Sequence, residues 1–240
     1  PGSGKTMMAK RIPTILPDLT WEESLEITKI YSTAGLIEKD APLIVNRPFR
    51  EVHHTISRAG LIGGGVYPRP GEGTLAHGGV LFLDELAEFQ KSVLESLRQP
   101  MEEKCIRLIR NNWTCSFPAD FMLVAATNPC PCGYYPDRNL CNCTPAQVHG
   151  YIGKISHPFL DRLDLCVEVS KVKYDALTQY RAGASSADMR DSVILAREIQ
   201  SERFKHDKIR TNAQMGRKEI ERYCPISESG KNVLQRAYDL

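Results

Sequence analysis

A chain of 240 residues with a formal net charge of +2 and 42% hydrophobic content has room for one large domain, or for one domain and a small companion. The composition is that of a globular protein, and no apolar run is long enough to cross a bilayer, so no membrane partner is expected. A charge this close to neutral excludes neither nucleic acid nor other partners, because a local basic lining can sit on a neutral whole.

The first six residues, Pro1-Gly2-Ser3-Gly4-Lys5-Thr6, are the back half of the phosphate-binding pattern G-x-x-x-x-G-K-[ST]. In such a loop Gly2, Ser3 and Gly4 let backbone N–H groups face a phosphate. Lys5 reaches the β- and γ-phosphates of ATP, and the Thr6 hydroxyl holds Mg²⁺. The first glycine of the pattern and the strand that delivers it are expected before Pro1, so the chain reads as a piece of a longer protein cut through its nucleotide site. Residues 7–16 continue as a helix that Pro13 kinks or shortens. Thr20-Trp21-Glu22-Glu23 is a capping box opening a helix that Gly35 closes. Residues 36–52 read as loop with short extended pieces, and His53 to Leu61 as a short helix. Gly63-Gly64-Gly65 with Pro68 and Pro70 is a mobile-loop signal.

Val80-Leu81-Phe82-Leu83 is a continuous apolar run, the pattern of a strand buried on both faces. It ends in Asp84-Glu85. Beside a phosphate loop, Asp84 is the expected Mg²⁺ ligand and Glu85 the residue that polarises the attacking water; the alternative is an acidic pair that only caps the next helix. Gln90 to Met101 is helical, with Val93, Leu94 and Leu97 on one face. Segments 104–109 and 113–117 form a hairpin turning at Asn111-Asn112. Phe121 to Ala126 is a second buried strand running into Asn128, which can orient the water against the γ-phosphate. A cysteine-rich loop spans 130–143, a helix follows Pro145, and Leu165 to Val169 reads as a third strand. Arg162 stands just before it, where it can reach the phosphates of a neighbouring subunit, or else pair with Asp161 or Asp164. Segments 187–204, 215–224 and 228–239 are amphipathic helices, and Ser227 caps the last. Strands interleaved with helices, then helices only, predict an α/β core over 1–172 and a small all-α lid over 173–240.

The ordered set Gly-Ser-Gly-Lys-Thr, Gly79-Val-Leu-Phe-Leu-Asp-Glu-Leu86, Ala125-Ala-Thr-Asn-Pro-Cys-Pro-Cys-Gly133 and Phe159-Leu-Asp-Arg-Leu-Asp-Leu165 resembles the Mg-chelatase-like AAA+ proteins. Within them it is most similar to the ComM/YifB group, as are Phe49 to Ser57, Leu61 to Gly65, Arg69 to Glu72, Leu97 to Glu102 and Phe117 to Ala119. The likeness covers nearly the whole chain. It implies a P-loop NTPase of the AAA+ class, with a parallel sheet flanked by helices. It also implies a homo-oligomeric ring, a hexamer, with ATP sites between subunits, and an activity on DNA of the branch-migration helicase kind linked to natural transformation. A Mg-chelatase I-like ATPase that remodels a protein partner is the alternative. Val52 departs from the group, which has Pro there, and the second-sensor arginine is expected beyond Leu240.

Cys130-x-Cys132 and Cys141-x-Cys143 stand eight residues apart and can supply four thiolates to a structural Zn²⁺; reduced thiols on a loop are the alternative. A phosphate loop argues for the cytoplasm, where such cysteines stay reduced. Cys105, Cys115, Cys166 and Cys224 read as small core residues. Arg107, Arg110 and Trp113 near the hairpin tip are candidate DNA contacts, phosphate for the arginines and base stacking for the tryptophan, against a plain solvated turn. Tyr67 and Arg69 in the glycine loop are a second such candidate. His53-His54 has no carboxylate partner in sight and reads as packing or hydrogen-bonding residues rather than a metal pair.

Overall fold

The centre of the molecule is the strand that the apolar run predicts. In the computed structural model, which describes residues 4–37, 40, 42–65, 67–110, 113–169 and 183–239, Val80–Leu83 (β2) is fully buried along its length. Gly2 and Ser3, the Asn111-Asn112 turn and the expected boundary at 172–173 lie outside the described residues, as do the side chains of Arg110 and Trp113. Strand β2 lies between Phe49–Val52 (β1) and Met122–Ala125, both parallel to it, in the order β1, β2, Met122–Ala125. Alternate side chains serve the two faces. Leu81 and Leu83 join the larger core with Leu86, Val93, Leu94, Leu97, Phe121 and Phe159. Phe82 points the other way, onto Phe49, Val124, Ala126 and Ala9 of the first helix. Full burial of a side chain like Phe82 stabilises by about 2–3 kcal/mol. The strand Met122–Ala125 is only half-buried, with Met122 42% exposed, because it lies at the edge of the sheet rather than inside it.

Helices cover both sides. Lys5–Ala9 (α1) gives way to a 3₁₀ turn at Ile12–Ile15 whose start holds Pro13, so proline shortens the helix as its missing N–H requires. Trp21–Ala34 (α2) has the expected capping box: Glu23 N–H donates to Thr20 Oγ1 at 3.2 Å, and Thr20 N–H donates to Glu23 Oε2 at 2.9 Å. Gly35 ends α2 in the left-handed region at φ 72°. Arg47 then ties Glu23 (3.0 Å) to the carbonyls of Pro17 and Gly78, anchoring α2 beside the start of β2. The helix expected from His53 is shorter and begins later, at Arg58–Ile62, capped by Ser57; His53 to Ser57 form a turn. The glycine loop is drawn together by paired backbone hydrogen bonds between Gly64 and Arg69, at 3.2 and 3.1 Å. Lys91–Glu95 and Arg98–Glu103 replace one continuous helix, and Val93, Leu94 and Leu97 are buried as their spacing predicts.

Cys105–Arg110 and Trp113–Pro118 pair antiparallel as a separate two-stranded sheet, with Arg110 opposite Trp113. The expected third strand does not form. Residues 165–169 are irregular, with Leu165 86% and Val167 78% exposed. A strand is stabilised by the ladder and packing of its neighbour, and no described strand lies alongside this run to supply them.

The chain divides into two compact units, Pro1–Ser186 and Ala187–Leu240. In the second, helices at Ser186–Arg203, Arg217–Tyr223 and Glu228–Tyr238 follow the predicted segments, and Ser227 caps the last by accepting from Gly230 N–H. Phe204 is buried edge-on to Tyr223, whose hydroxyl donates to Asp207 at 2.6 Å. No helix among the described residues is long and apolar enough to cross a membrane.

Backbone closeness at the sheet gives a test. A Cβ on Gly79 would stand 2.0 Å from the Pro48 carbonyl oxygen, which accepts the β2 hydrogen bond from Val80 N–H. Gly79→Ala is expected to cost about 2–3 kcal/mol in urea unfolding. Gly150→Ala, in the interior of helix Pro145–Ile152 with open space around it, is expected to raise stability by about 0.5–1 kcal/mol.

Candidate active site

A parallel sheet delivers the residues that follow each strand to one edge, and ligand sites form there. Here the residues after β2 and after Met122–Ala125 are locked together. Ala126 N–H donates to the Leu83 carbonyl at 2.9 Å, and Leu86 N–H donates to the Ala126 carbonyl at 2.8 Å. This fixes Asp84-Glu85 beside Thr127-Asn128. Helix α1 meets both: the Lys5 ammonium donates to Asn128 Oδ1 at 3.0 Å, and the Thr6 hydroxyl donates to Asp84 Oδ2 at 2.7 Å. Gly4, at the start of α1, has φ 72°, a conformation that suits glycine. Lys5, Thr6, Asp84 and Asn128, read separately from the sequence, therefore converge.

The set fits the cofactors the motif implies. Magnesium takes oxygen ligands at about 2.1 Å, which puts neighbouring ligand oxygens roughly 3 Å apart. The Thr6 hydroxyl and Asp84 carboxylate already stand at that spacing, so a cation would replace their mutual hydrogen bond with two coordination bonds. Lys5 supplies the positive charge a phosphate needs.

Glu85 has φ 55° and ψ 49°, a left-handed backbone that costs a non-glycine residue about 1–2 kcal/mol. Residues held this way cluster at functional sites. Its own N–H donates to Asp84 Oδ1 at 2.9 Å, and its side chain makes no capping bond to the turn that follows, so a purely capping role does not describe it. Its carboxylate has a partner that the sequence did not reveal. His54 Nδ1 lies 3.3 Å from Glu85 Oε2. His53 and His54, in a turn rather than a helix, stack with ring centroids 4.1 Å apart. The sequence carried no signal of this contact, since residues 36–52 read there as loop and β1 emerges only in the structure.

Arg162 is separate from this set. Its guanidinium bonds the Glu102 carboxylate and the Pro158 carbonyl, while its Nε is buried without a hydrogen bond. Among the described residues the partner is thus Glu102, 60 residues away, rather than Asp161 or Asp164; chain folding, not adjacency, selects the acid. On the hairpin, Arg107 is exposed and pairs with Glu103 at 3.2 Å. Tyr67 in the glycine loop is 81% exposed.

The four clustered cysteines come together between Asn128 and the helix Pro145–Ile152. Their sulfurs all lie within 4.8 Å of one another, with Cys130–Cys132 at 3.3 Å, Cys132–Cys141 at 3.6 Å and Cys130–Cys141 at 3.8 Å. A disulfide needs about 2.05 Å, so none is present. Four sulfurs at about 2.3 Å from a tetrahedral zinc would be about 3.8 Å apart, which the cluster approximates. Burial pushes the Cys130 thiol up, but N–H groups of Tyr135 and Gly133 and the neighbouring thiols outweigh it and bring it down to about 6. Cys141 is pushed the other way, to about 11: a backbone hydrogen bond at Cys143 lowers it, and burial together with the adjoining sulfurs more than reverses that. The remaining cysteines are not core residues. Cys105 and Cys115 are half-buried, and Cys166 and Cys224 are exposed, because the first pair lies on a two-stranded hairpin and the others lie outside regular elements.

A family model described as magnesium chelatase, subunit ChlI, matches residues 1–177, and a model for the C-terminal region of that subunit matches residues 183–240. The chain is similar to the competence protein ComM of Haemophilus influenzae, 42% identical over 99% of this chain and 46% of that protein. It is also similar to the uncharacterised protein YifB of Escherichia coli, 43% identical over 98% of this chain and 46% of that protein. An uncharacterised protein of Mycobacterium tuberculosis is 44% identical over 100% of this chain and 47% of its own length. The chain thus spans about half the length of these relatives.

Because the sulfurs stand too far apart for bridges, all eight cysteines are expected to react in a thiol titration of the denatured, unreduced protein. A count of six would reveal a disulfide.

Proposed function

The chain belongs to the magnesium chelatase subunit ChlI family, and from that premise and the site geometry we propose that it is the ATP-hydrolysing part of an AAA+ ring motor that works on DNA. The observation that carries the reading is the joining of Lys5 to Asn128 and of Thr6 to Asp84 across three separate segments. In this reading Gly2, Ser3 and Gly4 wrap the phosphates, and Lys5 neutralises the charge on the β- and γ-phosphates. Thr6 and Asp84 hold Mg²⁺, which when bound offsets charge on the phosphate oxygens. Glu85 accepts the proton of the attacking water, and Asn128 orients that water. Arg162 reaches a site in the adjacent protomer of a homo-hexameric ring, and a change of partner from Glu102 accompanies assembly. An arginine in such a place is worth about 10³–10⁵ in rate.

DNA as the polymer is supported by the name of the Haemophilus relative, a competence protein, and by the exposed Arg107 on the hairpin. Arg107, Arg110 and Trp113 are proposed as contacts, the arginines to phosphate and the tryptophan stacked on a base. The four cysteines hold a structural Zn²⁺ in the cytoplasm, where thiols stay reduced.

Two measurements on the full-length protein test this. ATP hydrolysis is expected to rise on adding forked or single-stranded DNA. Lys5→Ala and Glu85→Gln are each expected to lose at least about 100-fold of it, with Glu85→Gln still binding nucleotide. Hydrolysis indifferent to DNA but raised by a protein partner would instead support a chelatase-like remodeller. For the metal, elemental analysis is expected to find one zinc per chain, lost in Cys132→Ser and Cys141→Ser. Metal content unchanged in both variants removes the zinc site.

A further inference from the structure

Reduced sulfurs gathered on one loop are a reactive group as well as a set of metal ligands. Those of Cys130, Cys132, Cys141 and Cys143 all lie within 4.8 Å of one another, but they differ in access: Cys130 and Cys141 are buried, while Cys132 and Cys143 are half-buried. An oxidant in solution meets the half-buried pair first, because oxidation follows exposure and thiolate character. Cys132 has two sulfurs close by, Cys130 at 3.3 Å and Cys141 at 3.6 Å. Cys130 is only two positions away in the chain, and a bridge between such neighbours closes a short ring that departs from relaxed disulfide geometry. Cys141 is nine positions away, so a bridge to it closes a loop instead.

The effect of such a bridge reaches the ATP site along the chain. Cys130 is the hub of the loop: its sulfur touches those of Cys132 and Cys141 and accepts from the N–H groups of Gly133 at 3.2 Å and Tyr135 at 3.5 Å. It stands two residues after Asn128, whose Oδ1 accepts from Lys5 at 3.0 Å. Bridging draws the sulfurs of Cys132 and Cys141 from 3.6 Å to about 2.05 Å, so the contacts around Cys130 must rearrange. Misplacing a group at a reaction centre by about 1 Å costs up to about 100-fold in rate.

We infer that the cysteine loop is a modification site for hydroperoxides: oxidation joins Cys132 to Cys141, releases the metal and switches ATP hydrolysis off. This rests on the readings of the four cysteines as a zinc site and of Asn128 as the residue that orients the water. Coordinated thiols are deprotonated, so the Cys132 thiolate attacks one peroxide oxygen. The O–O bond breaks, leaving a sulfenic acid on Cys132 and one hydroxide. The Cys141 thiolate then attacks the sulfenic sulfur, forms the S–S bond and expels a second hydroxide. The two sulfurs give up two electrons to the two oxygens, which leave as water after taking protons from solvent. Cys130 and Cys143 remain as two thiolates, too few to hold a tetrahedral cation. A dithiol reductant reverses the bond by exchange.

The test uses the full-length protein, reduced and analysed for zinc, then treated with hydrogen peroxide at about tenfold molar excess. Zinc release to a colorimetric chelator, free thiols and ATP hydrolysis are followed together. Release is expected to approach one zinc per chain while two thiols are lost. Trypsin cuts after Arg138, so a Cys132–Cys141 bridge joins two peptides, whereas a Cys130–Cys132 bridge stays inside one. ATP hydrolysis is expected to fall about tenfold or more and to return with a dithiol and added zinc. Cys105→Ser and Cys115→Ser, on the hairpin, are expected to respond as wild type does. The inference is overturned if the bridge joins other cysteines, if either hairpin variant no longer responds, or if ATP hydrolysis is unchanged or fails to return. Reduced protein that carries no zinc removes the zinc reading, and untreated protein that hydrolyses no ATP removes the reading of the ATP site; each takes this inference with it. Zinc present and still bound after peroxide, in a protein that hydrolyses ATP, sinks the peroxide site alone.

Discussion

The clamp between two strand tips, with Ala126 donating to Leu83 and Leu86 donating to Ala126, is the constraint on which the site depends. It sets the register of the acidic pair against Asn128, and a slip of one residue would turn every side chain of the strand to the opposite face. Phe82 would then leave the side where Ala9 packs, and helix α1 would lose the surface that holds Lys5 and Thr6 in place. Core and chemistry are thus two consequences of a single pairing. The same apolar run that fills the interior ends in the carboxylates, and burial of Val80–Leu83 is what makes the position of Asp84 rigid.

Around that rigid centre the charged side chains are arranged in a graded way. Asp84 is used twice, accepting from Thr6 and from the Glu85 N–H, so its orientation is well determined. Glu85 is strained in backbone yet loosely held in side chain, with one imidazole beside it. Arg162 is engaged with Glu102 and a backbone carbonyl, but its buried Nε is left over. An incompletely satisfied guanidinium is cheaper to release than a fully paired one. The cysteine loop joins Asn128 to a helix whose start is closed by a Thr144–Gln147 capping box, and it brings its four sulfurs together between them.

Much of this was legible because it is local. A capping box needs four residues and a buried strand four apolar ones; the structure has both where the sequence places them, at Thr20 to Glu23 and Val80–Leu83, and the two strands expected from 104 to 117 pair antiparallel. The cysteines were legible for a related reason, since all four lie within 14 residues and the loop has little freedom to separate them. What failed was non-local. Leu165 to Val169 has strand composition but no adjacent ladder, so propensity was left without the hydrogen bonds that would realise it. Cys166 and Cys224 have the chemistry of core residues, but their exposure is set by which surface folds over them.

The sequence by itself determined the α/β core with a helical part after it, and named Lys5, Thr6, Asp84, Glu85 and Asn128 as the residues of interest, because phosphate and metal chemistry demand those types in that order. Only the tertiary structure decided which of them meet. The pairing of Lys5 with Asn128, of Arg162 with Glu102 and of His54 with Glu85 each joins positions far apart in the chain. Such contacts are specified by strand register and helix packing, to which no short stretch of residues carries the key.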